Sequence, residues 1–447
     1  MSKLCAPKNT KQFSNLATRR LWNYSAVEKS MEIVREFIKS NDFILYGGMS
    51  IDFALKLAGH EGIYDTNTIP DYDFYAPDIY NTSNKLADIL HGSGIPGLSS
   101  INASHLTTRR VRTDFIEVAD ISYLPPKVYD TLPTLKFNDF RIVHPNFQRL
   151  DMHRAFNNPY ENSPNELVYF RSEKDSKRFK LLDEHYPIEF KEFKDDIVEF
   201  KVKGLKSGLL TDLAAFAVYC ELYKQHNSVG KEMFLLSARV ENGELFVMLP
   251  KSYPIIAFHA FEEIAKEFSG KEVEKYHRFL DDSKPPTTRF EIENGFLDVY
   301  DSKYNLIPCH EIEFQNLKLK IANVHDIASH FLTNRFLYQD ENWMCFYHSL
   351  LQMMKAMESL YPEKKEACNP WFLTAEFYGN ETINFSRTQV LQLEKNYAFV
   401  DRDNELLSFL NSLRPPHGYY PENNSEPPEF KEITEVFLID GSIVKTN

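Results

Sequence analysis

Between Ser25 and Ser40, apolar residues recur at Val27, Met31, Val34, Phe37 and Ile38. That spacing matches the 3.6-residue period of a helix with one buried face, so a helical N-terminal segment over 1–40 is expected. The pattern then changes. Phe43-Ile44-Leu45-Tyr46 is a short continuous apolar run of strand length, and it flows into Gly47-Gly48. Ser50 opens an amphipathic stretch with Ile51, Phe53, Ala54, Leu55 and Leu57, and Gly59 supplies a stop signal. A polar loop over 60–70 leads to a strand at 71–76 and to a helix over Asn81–His91, capped from Asn81 to Ser83. A glycine-rich turn at 92–97 is followed by two strand-like stretches near 104–112 and 114–123, closed by Pro125-Pro126.

Helices are expected again at Phe147–Phe156 and Lys174–Tyr186. Further along, Leu209 to Tyr223 reads as one buried helix, and Glu232 to Leu249 as strands around a Glu241-Asn242-Gly243 turn. Asn342 to Leu360 reads as a long helix. Alternating elements with short connections predict an α/β (α+β) fold: a domain over 41–190 with a mixed sheet flanked by helices, and a second mixed α/β domain over 191–380. The tail over 381–447, rich in Asn, Glu and Pro at 414–428, is expected to be partly extended. No internal repeat is visible in the sequence.

A chain of 447 residues exceeds what one core usually supports, and 43% hydrophobic with 14% aromatic residues supplies material for two or three. No run of about 18 uncharged apolar residues exists, so no membrane span is expected, nor is a signal-peptide core visible. Five scattered cysteines (Cys5, Cys220, Cys309, Cys345, Cys368) fit neither a disulfide framework nor a CxxC zinc site and read as free thiols. The net charge of −13 argues against broad phosphate-backbone binding. Binding depends on the local field, however, and two basic clusters exist: Arg109-Arg110-Val111-Arg112 and Lys174 to Lys180.

The strongest chemistry lies in Asp71-Tyr72-Asp73-Phe74. Side chains alternate along a strand, so Asp71 and Asp73 share one face while Tyr72 and Phe74 share the other. At about 4 Å and an effective dielectric near 20, two carboxylates repel by roughly 4 kcal/mol. A divalent cation reverses that sign, and Mg²⁺ with phosphate ligands is the usual occupant. Gly47-Gly48 supplies the complement, since backbone without Cβ can approach a triphosphate closely. Two-metal phosphoryl transfer needs a third carboxylate, and the strand at 114–123 offers Asp114, Glu117 and Asp120. Asp114 sits at the strand start beside the arginines and Glu117 falls on the opposite parity. Asp120, between Val118-Ala119 and Ile121, would be costly to bury unless neutralised and is ranked first.

Gly47-Gly48, Asp71-Tyr72-Asp73 and a later strand carboxylate match the pattern of the polymerase-beta-like nucleotidyltransferases. More narrowly, the chain resembles the poly(A) polymerase catalytic subunits of large cytoplasmic DNA viruses. That likeness extends to Asp151-Met152-His153-Arg154, Asn158-Pro159, Lys177-Arg178-Phe179, Tyr186-Pro187, Ile321-Ala322-Asn323-Val324-His325 and Phe331-Leu332. It implies transfer of AMP from ATP to an RNA 3′ end, with Asp71, Asp73 and Asp120 holding Mg²⁺ or Mn²⁺ and Gly47 and Gly48 holding the triphosphate. Many superfamily members carry serine directly after the glycines, where this chain has Met49; either Ser50 supplies the hydroxyl or backbone N–H groups suffice. By the same resemblance Lys177 and Tyr186 would contact the nucleotide, and Arg109, Arg110 and Arg112 would line an RNA groove. It further implies a homodimer or a processivity subunit, and residence in the host cytoplasm (the viral factory) or the virion. Two rivals stay open: a nucleotidyltransferase with a non-RNA acceptor, and a catalytically inactive scaffold.

Overall fold

The computed structural model describes residues 24–360, with breaks at 65–69, 104–106, 115, 158–164, 189–192, 194–195, 203–208, 227–235, 254, 259–264, 278–279, 281–285, 294 and 300–308, together with 418–423, 435–437 and 443–445. The first half runs α1 (Tyr24–Ser40), β1 (Ile44–Tyr46), α2 (Gly47–Leu57), β2 (Tyr72–Ala76), α3 (Ile79–Gly92), β3 (Leu98–Asn102), β4 (Thr108–Thr113), β5 (Ile116–Tyr123), α4 (Pro126–Thr131), β6 (Thr134–Phe137), β7 (Phe140–Val143), α5 (Pro145–Asn157) and α6 (Asn165–His185). Its strands form a seven-stranded mixed sheet in the order β3-β4-β5-β2-β1-β7-β6. Alternation along β2 sends Tyr72 and Phe74 into a cluster with Val34, Phe37 and Ile38 of α1, while Tyr75 joins a second, larger cluster.

Several features of this half differ from expectation. Helix α2 starts at Gly47 rather than Ser50, so the glycines form its first turn instead of a separate loop. Helix α3 starts at Ile79 because Asp78 caps it, its Oδ1 accepting from the Asn81 N–H at 3.1 Å. Strand β3 was not anticipated: its serines interrupt the apolar alternation, yet Ser100 is fully buried.

The second half runs β8 (Ile197–Val202), β9 (Leu209–Thr211), α7 (Asp212–His226), β10 (Ser237–Glu241), β11 (Glu244–Pro250), β12 (Ile255–Phe258), β13 (Glu272–His277), β14 (Pro286–Ile292), β15 (Gly295–Val299), β16 (Cys309–Phe314), β17 (Leu317–Ala322), α8 (Val324–Tyr338) and α9 (Asn342–Leu360). The expected buried helix over 209–223 is therefore a three-residue strand followed by α7, since Asp212 takes a left-handed φ of 57° between them. The hairpin at Asn242-Gly243 forms as expected. Strands β8, β10 and β11 make a small sheet, and the rest form a second seven-stranded sheet, β13-β14-β15-β12-β9-β17-β16.

That second sheet repeats the first. Taken in chain order, β9 and β12 to β17 occupy the places of β1 to β7, and every neighbouring pair keeps its parallel or antiparallel sense. The two halves are joined where α5 meets α8 and α9. His153 Nδ1 lies 3.0 Å from His325 Nδ1, and His153 Nε2 lies 2.7 Å from the Tyr347 hydroxyl, all three side chains fully buried. Two of the segments that carried the family resemblance are thus packed against each other. Asn158-Pro159 falls outside the described residues.

In the tail, Tyr419 bridges to Ser100 at the edge of the first sheet, and Glu422 accepts from the Gly97 N–H at 2.6 Å. Glu435–Phe437 and Ile443–Lys445 pair as a hairpin, while 361–417 lies outside the described residues. Among the described residues no helix is long and apolar enough to cross a membrane. Cys220 is a buried free thiol, and Cys345 is also buried.

Candidate active site

Strand register builds the site as one row. Tyr46 on β1 stands opposite Asp73 on β2, Asp73 opposite Asp120 on β5, and Asp120 opposite Arg110 on β4. Asp71 lies one residue before β2 and shares the parity of Asp73. Tyr72 and Phe74, on the other face, are 2% and 0% exposed. The structure thus brings Asp71, Asp73 and Asp120 to one face of the central strands.

Their electrostatics follow from burial and crowding. The Asp73 carboxyl is held well above the usual carboxylate range, first by burial and then by the charges of Asp71 and Asp120. The Asp120 carboxyl is also raised by burial, although Arg110 pulls the other way. Arg110 donates from Nε to Asp120 Oδ1 at 2.7 Å and from Nη2 to Oδ2 at 2.6 Å. Burial opposes its charge, but the bond to Asp120 outweighs that and raises its pKa above the ordinary arginine value.

Glu117 corrects a parity argument. Val111 pairs with Ala119 but Arg112 pairs with Glu117, so β5 carries one extra residue, Val118, in a bulge. The bulge turns Glu117 onto the face of Asp120, where Glu117 Oε1 accepts from Arg110 Nη1 at 2.5 Å. Counting alternate residues along the sequence had placed it on the other side.

The start of α2 abuts this row. Gly47 has a φ of 66°, which disfavours side chains, and a Cβ there would collide with the Asp73 carboxylate. A Cβ at Gly48 would strike the Tyr64 hydroxyl and come within 2.9 Å of Arg178 Nη2. The Gly47 N–H donates to Gln148 Oε1 at 3.0 Å, so an oxygen acceptor already sits at the helix N-terminus. Ser50 is buried and its hydroxyl faces the Val143 carbonyl at 3.4 Å; Met49 packs into the core at 6% exposure. Neither side chain turns a hydroxyl toward the carboxylate row.

Of the basic residues on α6, Lys174 and Arg178 lie one turn apart, and both lower the carboxyl pKa of Asp73 from across the site. Arg178 Nη2 donates to the Tyr64 hydroxyl at 3.2 Å. Lys177, picked from the same cluster, is exposed. The Tyr186 hydroxyl donates to the Ala54 carbonyl, which ties the end of α6 to the middle of α2. Gln148 and Tyr64 escaped the sequence reading, and Lys174 and Arg178 entered it only as members of a basic cluster. Only the 3.6-residue spacing of Lys174 and Arg178 could have flagged any of them.

The three arginines of the 109–112 cluster do not act together. Adjacent strand residues face opposite ways, and Arg109 is fully buried beneath α3, donating to the Ser100 carbonyl at 2.8 Å and to Asn102 Oδ1 at 2.7 Å. Arg110 is held by Asp120 and Glu117. Arg112 is partly exposed, 3.7 Å from Glu117.

The carboxylates suit a divalent cation: they are hard oxygen donors, and the crowding that raises the Asp73 pKa is what a cation relieves. In the conformation seen, only Asp212, Asp298 and His330 bring three possible donor atoms within 4.8 Å among the described residues. That group is the counterpart site in the second sheet. Thr211 stands opposite Ala257 and Ala257 opposite Asp298, so Ala257 replaces Asp73, Ile255 replaces Asp71, and Asp298 matches Asp120. Arg289 matches Arg110 and grips Asp298 at 2.8 and 2.9 Å. Asp212 takes the place of Gly47, with His330 Nδ1 3.0 Å from its Oδ1. Lacking the paired carboxylates, this second site does not reproduce the first.

A family model described as the poly(A) polymerase catalytic subunit matches residues 32–162, which contain the whole row. A poly(A) polymerase catalytic subunit of African swine fever virus (isolate Tick/Malawi/Lil 20-1/1983) is 28% identical over 480 residues, covering 98% of this chain and 97% of the relative. Another, from isolate Pig/Kenya/KEN-50/1950, is 34% identical over 290 residues, covering 62% and 61%. Among solved structures, the Megavirus polyadenylate synthase aligns over 94% of this chain and 90% of its own, with a TM-score of 0.60 and 16% identity. At that identity the match speaks for the fold.

Proposed function

We propose that the chain is a viral poly(A) polymerase catalytic subunit, which adds AMP from ATP to mRNA 3′ ends without a template. The 3′-oxygen of the RNA attacks the α-phosphorus, the bond from that phosphorus to the bridging oxygen breaks, and pyrophosphate leaves. The observation that carries this reading is the cross-strand row that sets Asp73 beside Asp120 at the start of α2.

Asp71, Asp73 and Asp120 are the proposed metal ligands. Mg²⁺ or Mn²⁺ bound there would lower the pKa of the attacking hydroxyl and neutralise the departing pyrophosphate. The chain's own residues supply the rest. Gly47 and Gly48 let the backbone and the positive end of α2 approach the triphosphate, displacing Gln148 from the Gly47 N–H. With the Ser50 hydroxyl facing Val143, backbone N–H groups suffice for that contact. Lys174 and Arg178, rather than Lys177, are the proposed partners of the β- and γ-phosphates, and Tyr186 holds α6 against α2. Arg112, of the three arginines, is the proposed RNA contact. A second subunit, whether a processivity factor or another copy of this chain, and a site of action in the host cytoplasm belong to the same proposal.

The test is extension of a 5′-labelled oligo(A) primer with Mg²⁺ and each NTP in turn. ATP is expected to give a ladder, and Asp73→Asn to abolish it. Label on a non-RNA acceptor with no primer extension would overturn the reading.

A further inference from the structure

Arg110 is shared between two carboxylates. Nε and Nη2 hold both oxygens of Asp120, while Nη1 holds Glu117. Glu117 reaches it only because of the bulge at Val118. In the second sheet the arginine–aspartate pair survives as Arg289 and Asp298, but β14 and β15 pair without a bulge and Phe296 stands at the position of Glu117. The second carboxylate on Arg289 comes instead from another strand, Glu274 on β13, at 2.8 Å. The bulge with its glutamate therefore accompanies the sheet that has the paired aspartates.

The trio Asp71, Asp73 and Asp120 also does not converge to 4.8 Å, whereas the second-sheet cluster does. Both Asp120 oxygens are turned onto Arg110, as both Asp298 oxygens are onto Arg289. A cation bound between Asp71, Asp73 and Asp120 draws the Asp120 carboxylate toward the other two and so loosens its hold on Arg110. A half-buried guanidinium that loses its acceptor is left with unsatisfied donors, so the shift is easiest if another carboxylate keeps hold of the arginine.

We propose that Glu117 is a positioning residue that retains Arg110 while Asp120 turns from the arginine to the divalent cation. Glu117 touches neither substrate nor metal and acts through Arg110. Its partly exposed side chain can follow the guanidinium as it moves off Asp120, and β4 with the β5 bulge keeps the two in register. The inference rests on the metal assignment proposed above.

The experiment measures binding of Mn²⁺ alone to the full chain, by loss of the free-ion electron paramagnetic resonance signal, without ATP or RNA. Glu117→Gln, which keeps shape and removes charge, is expected to weaken Mn²⁺ binding by about 10–100-fold, and Glu117→Asp to restore part of it. At saturating Mn²⁺, the KM for ATP of Glu117→Gln should equal that of the parent. A double-mutant cycle separates action through Arg110 from simple loss of negative charge. In an Arg110→Gln background, Glu117→Gln should have no further effect; an equal loss in both backgrounds would overturn the proposal. Unchanged binding in Glu117→Gln while Asp73→Asn has lost it would overturn the proposal and leave the metal site standing. If Asp73→Asn binds Mn²⁺ as well as the parent, the metal assignment itself fails and takes the proposal with it.

Discussion

At the scale of single residues, the site depends on what is missing as much as on what is present. Gly48 has no room for a methyl group beside Tyr64 and Arg178. Gly48→Ala is therefore expected to raise the KM for ATP and to lower stability by about 1–3 kcal/mol, the usual range for overpacking. Removing the obstructing hydroxyl in Gly48→Ala/Tyr64→Phe should recover part of both, as read by steady-state kinetics and urea unfolding. The charges on α6 can be sorted in the same way. Lys174→Ala and Arg178→Ala should each cost about 1.5–3 kcal/mol of ATP binding, the range for hydrogen bonds to charged groups. Lys177→Ala, at an exposed position, should leave the KM unchanged. An equal loss at all three positions would mean that general positive charge, not placement, matters.

At the scale of elements, the packing of α5 against α8 and α9 makes a pH-dependent joint. Burial, reinforced by His325 and Arg149, holds His153 neutral with its pKa well below 6.5. In the unfolded chain the same group titrates near 6.5. Below that pH the unfolded state binds the extra proton and the folded state does not, so stability is full above about 6.5 and falls as the solution is acidified. His144, lowered to about 4 chiefly by burial, adds to the loss between about 6.5 and about 4. Denaturant unfolding at pH 7.5 and 5.5 should show a lower midpoint at 5.5, and His153→Phe should flatten that slope. A midpoint independent of pH would show that these histidines are not buried neutral.

At the scale of the whole molecule, two sheets of one topology carry one set of paired carboxylates. Asp212 stands at the head of α7 where Gly47 stands at the head of α2, and a carboxylate at a helix N-terminus satisfies the place a phosphate would otherwise take. Equilibrium dialysis with a non-hydrolysable ATP analogue is therefore expected to give one nucleotide per chain, lost in Gly47→Val. Two per chain would show that the second sheet binds as well.

Much of this was decided locally and could be read from the chain. The strand at Ile44, the glycines, the Asp71 and Asp73 alternation and the choice of Asp120 depend on side-chain period and burial cost, which neighbouring residues set. The long helix at Asn342–Leu360 was legible for the same reason. What required the tertiary structure was every feature set by register between distant segments. A one-residue bulge moved Glu117 to the opposite face, and packing against β3 and α3 buried Arg109. Helix packing brought Lys174 and Arg178 near Asp73 and left Lys177 exposed. The repeat of the sheet was invisible because it is a repeat of hydrogen-bonding topology, in which Asp73 became Ala257 and Gly47 became Asp212. Sequence alone determined that paired carboxylates meet a glycine-led helix; only the fold decided which charges surround them, because those charges come from strands and helices far apart in the chain.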